Sequence, residues 1–197
     1  MVAKITTSLQ LHLPAWLSNR LKEDNAIIFK TAPERMALAI ELALENVRRK
    51  TGGPFGAAVI ERKTGRLISC GVNLVVRSGV SHWHAEMVAL ALAQCALGSF
   101  NLAEMGDYEL VTSVEPCMMC LGATVASGVR GLVCGARTED AVSVGFDEGF
   151  KSSDWIEELK KRGIKVRRDL MRAKASLILR DYVSEGGQLY LSADMRM

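Results

Sequence analysis

A chain of 197 residues with 49% hydrophobic and 24% charged side chains has the size and balance of one globular domain. Its net charge of +3 is too small to argue on its own for a nucleic-acid partner, and no apolar run approaches the span of a bilayer. Five cysteines, an odd number, with no basic-then-apolar leader ahead of them, suit a reducing compartment better than a disulfide framework, so a cytoplasmic location is expected.

In chain order, Leu9, Leu11, Leu13, Trp16 and Leu17 are interrupted by Pro14, which predicts a short strand or coil and then a turn of helix, a packing arm over residues 1–30. From 31 to 49, Met36, Ala39, Ile40, Ala43 and Leu44 recur at threes and fours behind Ala32-Pro33, and Thr51-Gly52-Gly53-Pro54 ends this helix. Segments 55–62 and 66–76 read as strands around Lys63-Thr64-Gly65, a hairpin turn with glycine at the awkward dihedral. Gly56-Ala57-Ala58 leaves bare backbone at the head of the first strand, where either tight packing or a ligand brings another group close.

A helix through Met87, Leu90, Ala91 and Ala96 runs to about Gly98, followed by a strand at 108–113, a helix from near Cys117 to about Gly128 and a strand at 129–135. Strand–helix–strand alternation implies parallel pairing with crossover helices, and the opening hairpin makes the sheet mixed. Beyond it, 139–159 is rich in acids, whereas 160–174 carries eight lysines and arginines against Asp169 alone. A helix at 155–162, a short strand at 163–166 and a helix at 170–182 are expected there. The basic run has the charge to meet RNA phosphates, but a solvated helix face is the commoner origin of such a run.

Chemistry concentrates in two pieces, His84-Ala85-Glu86 and Pro116-Cys117-Met118-Met119-Cys120, each at a strand-to-helix junction where open α/β sheets place their ligands. One histidine and two cysteines give three ligands for a tetrahedral zinc. Structural zinc sites close with four protein ligands, whereas catalytic ones keep a position for water. His82, Cys70 and Cys134 are the soft candidates for a fourth. Cys117 and Cys120 stand three apart, on one side of a helical turn whose N-terminal dipole favours thiolates. His84 and Glu86 stand two apart and would diverge on a regular helix, so His84 belongs at its very start. Glu86 then lies where a proton carrier beside the water is needed; the plainer alternative is an acid answering the helix dipole.

With these residues the chain resembles the cytidine and deoxycytidylate deaminase superfamily and, within it, the bacterial guanine deaminases. The resemblance spans about 41–150. Besides the two metal motifs it rests on Gly52-Gly53-Pro54-Phe55-Gly56-Ala57, Gly71-Val72-Asn73, Glu115-Pro116-Cys117 and Gly145-Phe146-Asp147-Glu148. It implies a three-layer α/β/α sandwich on a five-stranded mixed sheet, organised as a single deaminase domain over 1–197, with a catalytic core at 31–150 and a C-terminal strand and helix segment at 151–197. It implies Zn2+ on His84, Cys117 and Cys120, with hydroxide on the metal attacking guanine to give xanthine and ammonia, and Glu86 shuttling the protons.

By the same likeness Asn73 would hydrogen-bond the purine and Phe55 would pack on its face. Backbone near Ala57 would help, Asp147 or Glu148 would meet the polar edge, and Trp83 would line the mouth or merely pack. The partners implied are a small nucleobase and a second copy of the chain, not nucleic acid or membrane. Bacterial guanine deaminases exchange C-terminal segments between dimer partners, but Gly187-Gln188-Leu189-Tyr190 gives no match for that. His82, Trp83 and the long arm also depart from the pattern. Alternative readings are a tRNA adenosine deaminase, which shares both metal motifs, and a deaminase of cytosine or of an aminotriazine. A catalytically silent binding module is a further one, against which the complete Glu86 and zinc set argues.

Overall fold

The computed structural model describes residues 6–23 and 27–190; residues 1–5, 24–26 and 191–197, parts of the expected arm and C-terminal segment, lie outside the described residues. The arm's helix α1 (Ala15–Glu23) starts directly after Pro14 and lies over the domain. Its Leu17 is buried, and Trp16 Nε1 donates to Thr51 Oγ1 at 3.1 Å. Thr31 then starts helix α2 (Ala32–Arg48) with a capping box. Its hydroxyl accepts from the Glu34 amide while the Glu34 carboxylate accepts from the Thr31 amide at 2.8 Å, so two orphan donors are satisfied at once.

Strands β1 (Gly56–Glu61) and β2 (Leu67–Val72) form the expected hairpin, with Gly65 at φ +80. The second strand stops sooner than the sequence suggests. Asn73 turns its side chain back to accept from the Val75 amide at 3.2 Å, and a single helical turn, α3 (Val75–Ser78), follows. The chain continues through α4 (Ala85–Leu97), α5 (Leu102–Met105), β3 (Tyr108–Val114), α6 (Met118–Ser127), β4 (Gly131–Ala136) and α7 (Thr138–Ser143). It closes with α8 (Trp155–Lys161), β5 (Lys165–Arg167) and α9 (Arg172–Ser184).

The sheet order is β2-β1-β3-β4-β5. β1 runs antiparallel to both neighbours, and β3, β4 and β5 are mutually parallel, so the sheet is mixed. Alternate side chains serve opposite faces, as the period of a strand requires. Ala58, Ile60, Val111 and Val133 pack against α2 and α9, whereas Ala57, Val59, Leu110 and Leu132 pack against α4 and α8. That is the three-layer α/β/α sandwich.

The bare backbone in the hairpin is there for helix packing. A Cβ on Gly56 would stand 2.3 Å from the Ala39 carbonyl oxygen of α2, and one on Gly71 2.3 Å from that of Ala85 in α4. Ala57 is fully buried in the core under α4.

The basic run is largely consumed by ion pairs. Lys160 meets Glu157, Lys161 and Arg162 meet Glu158, Arg168 meets Glu115, and Arg172 meets Asp140. Among the described residues no helix is long and apolar enough to cross a membrane.

One buried amide ties the two ends of the hairpin together. Asn46 Nδ2 on α2 donates to the Gly53 and Asn73 carbonyls at 2.8 Å each, while its Oδ1 accepts from Thr51 Oγ1 at 2.7 Å. Asn46→Leu would strand both carbonyls in a dry interior, so stability should fall by about 2–4 kcal/mol in a denaturant titration. A loss below about 0.5 kcal/mol would mean that other groups already serve those carbonyls.

Candidate metal centre and active site

Two helix N-termini meet beyond the C-terminal end of β3, the central strand. His84 is the N-cap of α4 and Cys117 the N-cap of α6, both with extended backbone, and neither side chain is used to cap. Both side chains are therefore left to face each other across the gap. Cys120, one turn into α6, completes the group. His84 Nδ1 lies 3.5 Å from Cys117 Sγ and 3.6 Å from Cys120 Sγ. For a tetrahedral zinc with bonds of about 2.05 Å to nitrogen and about 2.3 Å to sulfur, ligand nitrogen and sulfur stand about 3.6 Å apart. The donor set and its spacing fit the ion.

Among the described residues this metal-sized cluster holds His84, Cys117 and Cys120 alone. Of the soft candidates for a fourth ligand, Cys70 and Cys134 are buried along β2 and β4, and His82 lies against the Trp83 ring at 4.7 Å. A tetrahedral ion on these three would, among the described residues, keep one corner free of protein ligands.

The electrostatics favour a cation. Cys117 is held down at about 4, first by the hydrogen bond from Cys120, against burial, and then by His84. Cys120 is pushed up by that same contact and by burial. Glu86, in the first turn of α4 and 6% exposed, has its carboxyl raised by burial and by the negative charge of Cys117. Glu148 is pushed up to about 8 for the same two reasons, with Glu86 adding to them. Two carboxyls and a thiolate crowd one dry space, and a dication there relieves all three.

Phe55, Asn73, His84, Glu86, Glu115, Cys117, Phe146, Asp147, Glu148 and Tyr190 line the cavity at this centre. Most of the expected site residues therefore do come together. Phe55 meets Phe146 edge to face, with ring centroids 5.0 Å apart. Asn73 is buried with its amide aimed at the cavity, and Nδ2 donates to Tyr190 Oη at 2.6 Å. Asp147 is half-buried and closes a turn, its Oδ1 accepting from the Gly149 amide at 2.8 Å. Ala57 and Trp83 do not line the cavity. Ala57 lies in the core, and half-buried Trp83 packs against the cluster beneath α2.

Sequence reasoning gave no role to Phe146 or Tyr190. Tyr190 ends the described chain as a buried aromatic 5.6 Å from the Phe146 ring and 5.9 Å from that of His84. A lone tyrosine after a Gly-Gly turn was the available signal. With its ring in place the cavity retains a free volume of about 10 Å³, too little for a base.

Residues 30–136 match the family model for the cytidine and deoxycytidylate deaminase zinc-binding region. The chain belongs to this family. It is a zinc-dependent deaminase. Guanine deaminase of Bacillus subtilis is 40% identical over 112 residues, 57% of this chain and 69% of that protein. The solved guanine deaminase of Nitrosomonas europaea aligns with a TM-score of 0.85 at 41% identity, covering 92% of this chain and all of that one. A structure solved in complex with 2,6-diaminopurine gives a TM-score of 0.86 at 42% identity over 93% of this chain and 96% of that one. The likeness to the solved deaminases thus extends well beyond the segment that the family model matches.

Proposed function

We propose that this enzyme hydrolyses guanine to xanthine and ammonia. What carries the reading is the meeting, in one cavity, of the metal centre with the Asn73 amide, two phenylalanines and the carboxyls of Glu86 and Glu148. The guanine deaminases among its relatives point the same way. Zinc held by His84, Cys117 and Cys120 would make water acidic enough to attack at neutral pH.

The remaining work falls to side chains. Glu86, whose carboxyl is raised above the usual carboxylate range by burial and by the Cys117 charge, receives the proton of the attacking water. It passes that proton to the ring nitrogen beside the amino-bearing carbon, then takes the remaining proton of the added hydroxyl as the carbonyl forms and delivers it to the departing amine. Asn73 Nδ2, now on Tyr190 Oη, supplies the hydrogen bond to an acceptor on the purine edge, so Tyr190 must withdraw as the base enters. Phe55 and Phe146 form the flat wall, and Glu148, with Asp147 beside it, meets the polar edge. The same reading makes the protein a cytoplasmic homodimer.

Ammonia release should be highest from guanine when guanine, adenine, cytosine, their nucleosides, aminotriazines and a tRNA anticodon stem-loop are compared. A clear preference for any other ring, or for the RNA, would overturn guanine as substrate. In the same assay Asn73→Ala should raise the guanine KM about ten-fold, the worth of one buried hydrogen bond, with a smaller change in kcat. An unchanged KM would remove Asn73 from the pocket contacts.

A further inference from the structure

The turn that carries Cys117 is braced from behind by a buried carboxylate, and both cations holding that carboxylate come from outside the 30–136 segment that defines the family. Glu115 directly follows β3, and its side chain is 1% exposed. One oxygen accepts from Arg168 Nε; the other accepts from the Thr138 amide at 3.1 Å and from Thr138 Oγ1 at 3.0 Å. Lys151 Nζ, 8% exposed, stands 3.7 Å from the second oxygen and donates both to Thr138 Oγ1 and, at 3.2 Å, to the Pro116 carbonyl. The buried Trp155 ring lies under both cations, 4.9 Å from Lys151 Nζ and 5.7 Å from the Arg168 guanidinium carbon.

These contacts converge on the backbone between the strand and the first metal cysteine. Lys151 is three residues after Glu148, whose carbonyl accepts from the Met118 amide at 3.2 Å. One bracket therefore holds both the cysteine turn and the acidic loop.

We propose that Arg168 and Lys151 are positioning residues for the metal centre, acting through Glu115 and the Pro116 carbonyl to fix the Cys117 turn. The inference rests on the zinc reading of the site. Thr138 holds one oxygen of this deeply buried carboxylate, but its charge is balanced by the two cations, and with Arg168 removed the freed oxygen seeks water and draws the Pro116–Cys117 turn with it. Ligand orientation then loosens without any ligand being lost. Groups that support ligands in this way are typically worth about ten- to a hundred-fold in metal affinity.

The test measures zinc release to a chelator, well below the melting temperature, in the zinc-loaded wild type and in Arg168→Met, Lys151→Met and Arg168→Lys. Arg168→Met and Lys151→Met should release zinc about ten-fold faster or more, with the guanine KM within about two-fold of wild type. Arg168→Lys should recover much of the retention. Should Arg168→Met fail to fold, the charge-neutral pair Glu115→Gln with Arg168→Met takes its place, and fast release is again expected. Wild-type release rates, even with a lowered melting temperature, would overturn the proposal and leave the bracket a matter of stability alone. Failure of the underlying reading would look different: the wild type itself would hold no zinc or release no ammonia.

Discussion

Glu86→Gln is expected to keep zinc at the wild-type level while guanine turnover falls by about 10²- to 10⁴-fold, the usual worth of a positioned acid–base group. The substitution keeps the shape of the side chain and its place in the first turn of α4, and Glu86 lies outside the three-residue ligand set. Metal content from elemental analysis should therefore not change. What disappears is a carboxyl raised above the usual carboxylate range by burial and by the Cys117 charge. An amide cannot take a proton from water and give it back to a ring nitrogen. A carboxyl in an ordinary solvated setting would do so poorly, because its proton would already be gone at neutral pH. Turnover within ten-fold of wild type would take the proton work away from Glu86. Glu148, a second buried carboxyl lining the cavity, would then be the group to replace next.

The centre was legible in the chain because its residues obey local rules. His84 and Cys117 had to be helix caps for their neighbours two and three positions on to converge, and each is one. The sheet was legible for the same reason, since alternation and hairpin chemistry are local. What escaped depended on distance. α5 and α7 span four and six residues, too few for a helical period to declare itself.

Tyr190 reaches Asn73 across 117 residues, and Arg168 reaches Glu115 across 53. No spacing rule joins such pairs. Ala57 shows the converse. Its small size was real, but the group approaching the bare backbone of that strand is helix α2 at Gly56 rather than a ligand. The eight basic residues looked like a surface field, yet one of them, Arg168, is the partner of a fully buried acid.

Removing Cys117 should have the largest effect on the protein as a whole. Cys117→Ala is expected to lose zinc on purification, to have no measurable deaminase activity, and to melt at the same temperature with or without added zinc. The wild type should instead gain stability with zinc, because an ion that binds only the folded state adds RT ln(1 + [L]/Kd), about 4 kcal/mol at a thousand-fold excess over Kd. The size of that gain follows from what the ion replaces. Without it, Cys117, Glu86 and Glu148 press negative charge into one enclosed space, which with burial raises both carboxyls, Glu148 to about 8. Alanine at 117 removes a ligand and also the charge that raises both carboxyls, so the metal-free variant should be no less stable than the metal-free wild type. That second comparison separates metal loss from simple misfolding. A variant far below metal-free wild type in thermal denaturation would mean that Cys117 is needed for packing at the start of α6, and its lost activity would then say nothing about zinc. A variant that still bound stoichiometric zinc would dismantle the three-ligand centre itself.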